Sequence, residues 1–131
     1  DQPRACGIGI EMKKVSLSEK FELIDDHWNP RIVGELNGQH AKLAKLHGEF
    51  VWHKHDAEDE LFFVVKGQLK IELRNSEIIL NPNEFFIVPR GVEHRPIAEN
   101  EVQVMLFEPN TTLNTGDQKD SNFTKEDLHK I

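Results

Sequence analysis

The chain has little of what stabilises secreted proteins or anchors proteins in membranes. Its 131 residues include one cysteine, Cys6, so no disulfide can form within the chain, and this fits a reducing compartment. No run approaches the roughly 20 apolar residues that a transmembrane helix requires. Residues 1–11 lack the basic start and apolar core of a secretory signal peptide. We therefore expect a cytoplasmic protein that does not bind membranes.

Positive charge is also scarce. The chain has 16 Lys and Arg against 23 Asp and Glu, a net charge of −7, which argues against nucleic acid as a partner. The length is that of one domain, without internal repeats. We predict a domain from residue 12 to 110. Residues 1–11 are then an extension upstream of Met12 or a cloning remnant, and residues 111–131 a C-terminal tail.

The hydrophobic pattern predicts an all-β fold. Short apolar runs separated by turn residues recur along the chain, as in an antiparallel sandwich or barrel of the jelly-roll kind with eight or nine strands. Asn37-Gly38 is the strongest hairpin signal, and residues 50–55 are predicted to form a strand. Helix is limited to short turns near the termini, where Ser16 and Glu19 form a capping box.

Three histidines and a glutamate lie at spacings that suit one metal site. On a strand, His53 and His55 point to the same face because side chains alternate. The acidic turn 56–59 can bring Glu60 back beside them, and His94 follows a turn at the end of another apolar run. A His-x-His pair alone is a weak indication. The four residues together favour a metal site over exposed histidines.

The same residues carry a family resemblance. The pattern His53-x-His55-x4-Glu60-x6-Gly67, followed by Pro89-x-Gly91-x2-His94, resembles the two signature motifs of the cupin superfamily, in particular the small single-domain cupins. This resemblance spans about residues 48–98 and implies a double-stranded β-helix whose metal ligands are His53, His55, Glu60 and His94. Asn83 and Ala98 depart from the second motif. We expect Asn83 to preserve its turn, because asparagine tolerates the left-handed backbone.

The donor set indicates the kind of metal. Neutral imidazoles and a carboxylate suit one divalent transition metal ion, such as zinc, iron, manganese, nickel or copper. An octahedral ion would retain two open positions for water, O₂ or substrate, whereas a tetrahedral ion would be closed by the same four groups. The sequence leaves the choice of metal open.

Strand alternation predicts which neighbours line a substrate pocket. The predicted pocket residues are Val51, Phe62, Val64 and Met105. Phe50 and Trp52 are expected to face outward, and Lys42 and Lys45 cannot both face inward because they differ in parity. No catalytic residue beyond the metal ligands is assigned.

The outer face of the barrel is also predicted to be covered. Residues 61–65 are apolar on both faces, and a second subunit is the usual cover for such a surface. We expect a homodimer, with Trp52 and Phe63 as candidate contacts. The alternative is that both pack beneath the chain's own N-terminal segment.

Three functions remain open at this point. The first is a metal-dependent enzyme, an oxygenase or isomerase, acting on a small organic acid, sugar or phenol-like molecule. The second is a non-catalytic module that binds a small ligand or a metal. The third is a structural barrel with a vacant site, because a fold alone does not define function.

Overall fold

Strands dominate the chain, as the apolar runs predict. A computed structural model describes residues 12–131, so the predictions for residues 1–11 lie outside the described range. The elements in chain order are α1 (Leu17–Glu22), β1 (Arg31–Leu36), β2 (Gln39–Glu49), β3 (Glu60–Lys66), β4 (Leu69–Leu73), β5 (Glu77–Leu80), β6 (Phe85–Val88) and β7 (His94–Pro109). The all-β prediction is confirmed. Within residues 12–131, no helix is long and apolar enough to cross a membrane.

The strands form an antiparallel jelly-roll barrel organised around β7. This strand is 16 residues long and pairs with β2, β3 and β4, while β5 pairs with β4 and β6 with β3. Residues 102–109 form the second half of this strand. Because β7 begins at His94, the strand that connects most of the sheet also carries one predicted metal ligand.

Two turns depend on residues that tolerate a positive φ. Asn37 (φ 52°) and Gly38 (φ 75°) are both left-handed and join β1 to β2, as a type I′ hairpin requires. Asn83 also adopts a left-handed backbone, with φ 70°. The predicted hairpin and the predicted role of Asn83 are both confirmed.

The helix α1 covers part of the outer face of the sheet. Ser16 caps it by accepting a hydrogen bond from the Glu19 N–H at 3.3 Å. A helix of six residues is not stable alone, so its packing holds it in place. Phe21 and Ile24 are buried against Leu43 of β2, and each such burial contributes about 1.5–3 kcal/mol. A separate, larger core fills the interior of the barrel.

The segment from residue 50 to 55 is not the regular strand that the sequence predicts. The Phe50 N–H donates to the Pro96 carbonyl at 3.0 Å, and His53 forms an isolated bridge with His94. The chain therefore advances by three residues from Phe50 to His53, while β7 advances by only two, from Pro96 to His94. The extra residue acts as a β-bulge and reverses the side-chain alternation. Phe50 consequently points into the core rather than outward.

The C-terminal segment, residues 111–131, packs across the barrel near this bulge. The Asp117 N–H donates to the Lys54 carbonyl at 3.0 Å, and the Lys54 N–H donates to Asp117 Oδ1 at 3.0 Å. Phe123 lies 5.1 Å from Phe50 between ring centroids. At its far end, the Ile131 N–H donates to the Ile32 carbonyl. The segment thus closes one end of the barrel over the histidines.

Candidate metal centre

The four predicted ligands meet at one point inside the barrel. His53, His55, Glu60 and His94 are all buried, and one donor atom from each lies within 4.8 Å of the others. Glu60 is the first residue of β3 and His94 the first of β7, while both other histidines come from the bulged segment. Strand ends and an irregular segment therefore supply the whole cluster.

Two of the rings are held in a defined tautomer. His53 Nδ1 donates to the Val51 carbonyl at 2.9 Å, and His94 Nδ1 donates to the Val92 carbonyl at 2.9 Å. A carbonyl only accepts, so Nδ1 carries a proton in each ring and Nε2 is the nitrogen left to bind a metal ion. Such an outer hydrogen bond is the usual companion of a metal-ligating histidine.

The spacing of the remaining donors fits a divalent ion. Glu60 Oε1 lies 3.3 Å from His55 Nε2 and 3.3 Å from His94 Nε2. Metal bonds of about 2.1 Å place neighbouring ligand atoms roughly 3.0–3.4 Å apart. In addition, His55 Nδ1 is buried and makes no hydrogen bond within residues 12–131. These residues could therefore hold one metal ion without rearrangement of the main chain.

Electrostatics favour the protonation state that a metal needs at His53 and Glu60, but not at His55. Burial lowers the pKa of His53 to about 4, so its imidazole is neutral at pH 7. Burial also opposes the charged form of His55, but interaction with Glu60 outweighs it and raises the pKa of His55. Although burial alone would raise the pKa of Glu60, the rings of His55 and His94, each with Nε2 3.3 Å from Glu60 Oε1, hold it well below its usual range. The cluster thus contains a permanent carboxylate that a cation would neutralise.

An apolar cavity opens beside the cluster. The space inside it that is open to the centre of a water molecule is about 30 Å³, and its polar lining residues are His53, Glu60 and Asn114. The apolar lining residues are Trp28, Pro30, Ala44, Leu46, Phe50, Phe62, Pro96 and Leu106. Trp28 stacks on Phe50 with ring centroids 4.7 Å apart. The cavity therefore has one polar end, at the candidate ligands, and aromatic or aliphatic walls.

The predicted pocket residues lie in different places. Phe62 lines the cavity. Val64 is fully buried in the barrel core and Val51 packs against that core, but neither lines this cavity. Met105 packs on the outer face beside α1, so the predicted parity of its strand is off by one residue, and Leu106 lines the cavity instead. That alternation was hard to read because α1 makes the outer face of β7 apolar as well.

The sequence-based prediction of the site omits a buried ion pair that lies next to Glu60. Lys42 Nζ lies 2.5 Å from Glu108 Oε2, and both residues are 1% exposed. Lys45, in contrast, reaches outward to the Ile24 carbonyl, so only one of the two lysines faces inward, as predicted. Burial, with the nearby charge of Glu60, raises the pKa of Glu108 well above its usual range. The sequence-based parity gives no indication of this pair, because placing Met105 on the inner face of the strand places Glu108 on the outer face.

Trp52 and Phe63, the two candidate contacts on the outer face, have different surroundings. The Trp52 ring is covered by the chain's own guanidinium groups, with Arg74 at 3.9 Å and Arg95 at 5.4 Å from its centroid. Phe63 is half-buried and pairs in register with Phe85 of β6, whose side chain is 58% exposed. The uncovered apolar surface is therefore centred on β3 and β6 rather than on Trp52.

The barrel and its convergent histidines define a class of protein, and comparison with known proteins identifies it. The family model described as Cupin_2: Cupin domain matches residues 40–109, more than half of the chain. The chain belongs to this cupin family, which confirms the resemblance seen in its two motifs.

Individual relatives agree with this assignment. A cupin-2 domain containing protein from Shewanella frigidimarina NCIMB 400 is 43% identical with a TM-score of 0.73, covering 73% of this chain and 94% of that protein. Protein NMB1881 from Neisseria meningitidis is 28% identical with a TM-score of 0.69, covering 75% and 100%. The uncharacterized protein YdbB of Bacillus subtilis (strain 168) is 38% identical over 64 residues, 48% of this chain and 57% of YdbB. The chain thus spans little more than half the length of that curated relative.

Proposed function

We propose that this chain binds one divalent transition metal ion through His53, His55, Glu60 and His94 and acts on a small organic molecule in the adjacent cavity. The observation that carries the proposal is the convergence of four buried donors within 4.8 Å at the polar end of an apolar cavity. A divalent ion held there would act as a Lewis acid toward an oxygen atom of the bound molecule.

The cavity lining favours one class of substrate. No lysine or arginine is among the described residues that line it, so a phosphate or polycarboxylate would find no charge partner on its walls. Stacked Trp28 and Phe50 suit a flat apolar body instead. A phenol-like or enol-like molecule with one or two oxygen donors matches this lining best, and a sugar matches it worst. The reaction would be of the oxygenase or isomerase type.

The chain's own residues would position this substrate. Backbone carbonyls orient the rings of His53 and His94 toward the cluster. The aromatic walls and the C-terminal segment would exclude water from the apolar end, because Phe123 packs on both Trp28 and Phe50. Substrate orientation then depends on shape at one end and oxygen donation at the other.

Turnover by the loaded protein tests the proposal. Protein loaded anaerobically with Fe(II) is mixed with oxygenated buffer and a panel of catechols and 1,3-diketones, with sugars and hydroxy acids as polar comparisons. We expect O₂ uptake with the first group that is lost in the Glu60→Gln variant. Zinc- or nickel-loaded protein is assayed in parallel for solvent-deuterium exchange into the diketones, which reports isomerase-type chemistry. Absence of turnover with every metal would remove the enzymatic proposal.

A second candidate is a non-catalytic binding module. It is favoured by Asn114, the one polar cavity residue outside the ligand set: its amide donates to the Phe123 carbonyl at 2.8 Å and accepts from the Lys125 N–H at 2.9 Å. The described lining therefore offers no free general acid or base. In a Trp52→Phe variant, Trp28 in the cavity wall becomes the fluorescence reporter. Saturable binding of a catechol to metal-loaded protein, without turnover, would establish this function instead.

We also propose that the protein is a cytoplasmic homodimer joined through β3 and β6. Phe85 and Ile87 of β6 are 58% and 48% exposed, and they adjoin half-buried Phe63 and Leu61. β6 pairs with β3 alone within the described sheet, so its other edge can pair with the same strand of a second copy. Such an isologous contact would cover the apolar surface on both subunits.

A further inference from the structure

A buried ion pair lies behind the candidate metal ligands. Its contribution to the stability of the fold does not by itself explain its presence. Lys42 and Glu108 are each 1% exposed and are joined at 2.5 Å between Nζ and Oε2. Removing two charges from water is costly, and well-packed apolar residues often replace such pairs without loss of stability. We therefore expect this pair to have a role beyond joining β2 to β7.

Glu108 connects the pair to the candidate ligands. In the pairing of β3 with β7, Leu61 lies opposite Phe107, so Glu60 and Glu108, one residue further along each strand, are cross-strand neighbours. Both side chains are buried, and Glu60 is the only carboxylate in the cluster. Glu108 Oε2 is joined to Lys42, whereas Glu108 Oε1 is buried and lacks a donor among residues 12–131. Lys42, Glu108 and Glu60 thus lie side by side in the barrel interior, next to the other candidate metal ligands.

We propose that Lys42 and Glu108 are a positioning pair for Glu60, an inference that rests on the proposed metal site. The Lys42 ammonium donates to the Glu108 carboxyl group and fixes its position, and Glu108 in turn limits the orientations open to Glu60. Outer partners of this kind typically change metal affinity by roughly 10–100-fold.

Two variants and one control test the pair. Glu108→Gln keeps the side-chain shape but replaces the carboxyl group that accepts from Lys42 by an amide. The double variant Lys42→Met, Glu108→Met replaces the pair by apolar side chains of similar length, with no net change in charge and no unpaired buried ion. Glu101→Gln is the matched control, because Glu101 lies on the same strand, is exposed and contacts His27 instead of the cluster.

Cobalt(II) is the probe, with affinity measured by chelator competition and ligand geometry by the visible absorption bands. We expect Glu108→Gln to bind Co(II) roughly 10–100-fold more weakly. The double variant should also bind more weakly and show shifted bands, a spectroscopic change that a merely structural role would not produce. Glu101→Gln should match the wild type.

The failure of this inference is separable from failure of the metal site. If wild-type protein binds Co(II) and both folded variants match its affinity and spectrum, the positioning role is overturned while the metal site stands. If the wild type binds no Co(II), both proposals fail. Should Glu108→Gln not fold, the double variant decides, because it contains no unpaired buried charge.

Discussion

His53 and His94 are joined by two backbone hydrogen bonds: the His53 N–H donates to the His94 carbonyl at 3.1 Å, and the His94 N–H donates to the His53 carbonyl at 2.9 Å. Their ring centroids lie 4.3 Å apart as a result. The main chain, rather than flexible side-chain packing, sets the separation of these two candidate ligands. A site built in this way exists before any ion arrives, so binding an ion requires little reorganisation.

Replacing the carboxylate of the cluster should weaken metal binding with the fold retained. Glu60→Gln preserves volume but removes the only negative charge among the four candidate ligands. We expect the affinity for Zn(II) or Co(II), measured by chelator competition, to fall by at least about 100-fold, beyond the range of outer-partner effects. The control is Asp59→Asn, which removes the neighbouring carboxylate, half-exposed and paired with Arg90. Equal affinities for the two variants would contradict ligation by Glu60.

The metal-free protein should lose stability in mild acid through His53. Its pKa is about 4 when folded and near 6.5 when unfolded, so the unfolded chain binds more protons between these values. The contribution is fully present above pH 6.5 and is lost as pH falls toward 4, by about 3 kcal/mol. The raised pKa of His55 acts oppositely: its contribution is present below pH 6.5 and is lost as pH rises through the folded value.

Urea unfolding across this pH range, with the metal removed by chelation, measures the effect. His53→Gln should flatten the acid dependence between pH 6.5 and 4. His129→Gln, at an exposed histidine, is the control and should leave it unchanged. If His53→Gln retains the full slope, the assigned cause is wrong.

Sequence patterns predict the four clustered residues because most of their spacing is short-range. His53, His55 and Glu60 lie within eight residues and are separated by the acidic turn 56–59. His94 follows a local turn, and its distance from the others is fixed by strand pairing within the barrel. Turn and alternation patterns favour a shared site, and the two cupin motifs single out these four residues.

The residues that line the cavity could not be predicted from the sequence in the same way. Phe50 faces inward because of one extra residue opposite β7, and a bulge of this kind depends on register between segments distant in sequence. Asn114 reaches the cavity through contacts made by a polar segment with no periodicity. Glu108 looked like a surface residue until the register placed Lys42 beside it.

The contact between Gly116 and Lys54 should control closure of the C-terminal segment. A Cβ on Gly116 would lie 2.2 Å from the Lys54 carbonyl oxygen, so alanine cannot fit without displacing this segment. Gly38→Ala is the matched control, because Gly38 also has a positive φ (75°) but nothing within 4 Å of its Cβ position. We expect Gly116→Ala to lower the free energy of unfolding by about 1–3 kcal/mol more than Gly38→Ala.

Closure itself has a second readout. In the Trp52→Phe background, Gly116→Ala should make Trp28 more accessible to acrylamide quenching, because the C-terminal segment covers its cavity. Gly38→Ala should leave quenching unchanged. Identical stability and quenching in both variants would show that the segment does not close the cavity.

The proposed dimer predicts a directional effect of surface charge. Phe85→Glu places a carboxylate at the centre of the apolar surface on β3 and β6 and should convert a dimer to a monomer in sedimentation velocity experiments. Ile79→Glu is the control, since Ile79 is a 41% exposed apolar residue on β5, away from that surface. A wild-type protein that is monomeric at every concentration, or a dimer broken equally by both changes, would contradict the proposed interface.

The most direct test of the metal site is elemental analysis of untagged protein that has been loaded with divalent metals and then dialysed. Four buried donors within 4.8 Å of one another predict about one equivalent of a transition metal per chain, reduced to background when His94 is replaced by glutamine. Retention of less than about 0.2 equivalents of every metal by the wild type, or undiminished retention by His94→Gln, would contradict ligation by this cluster.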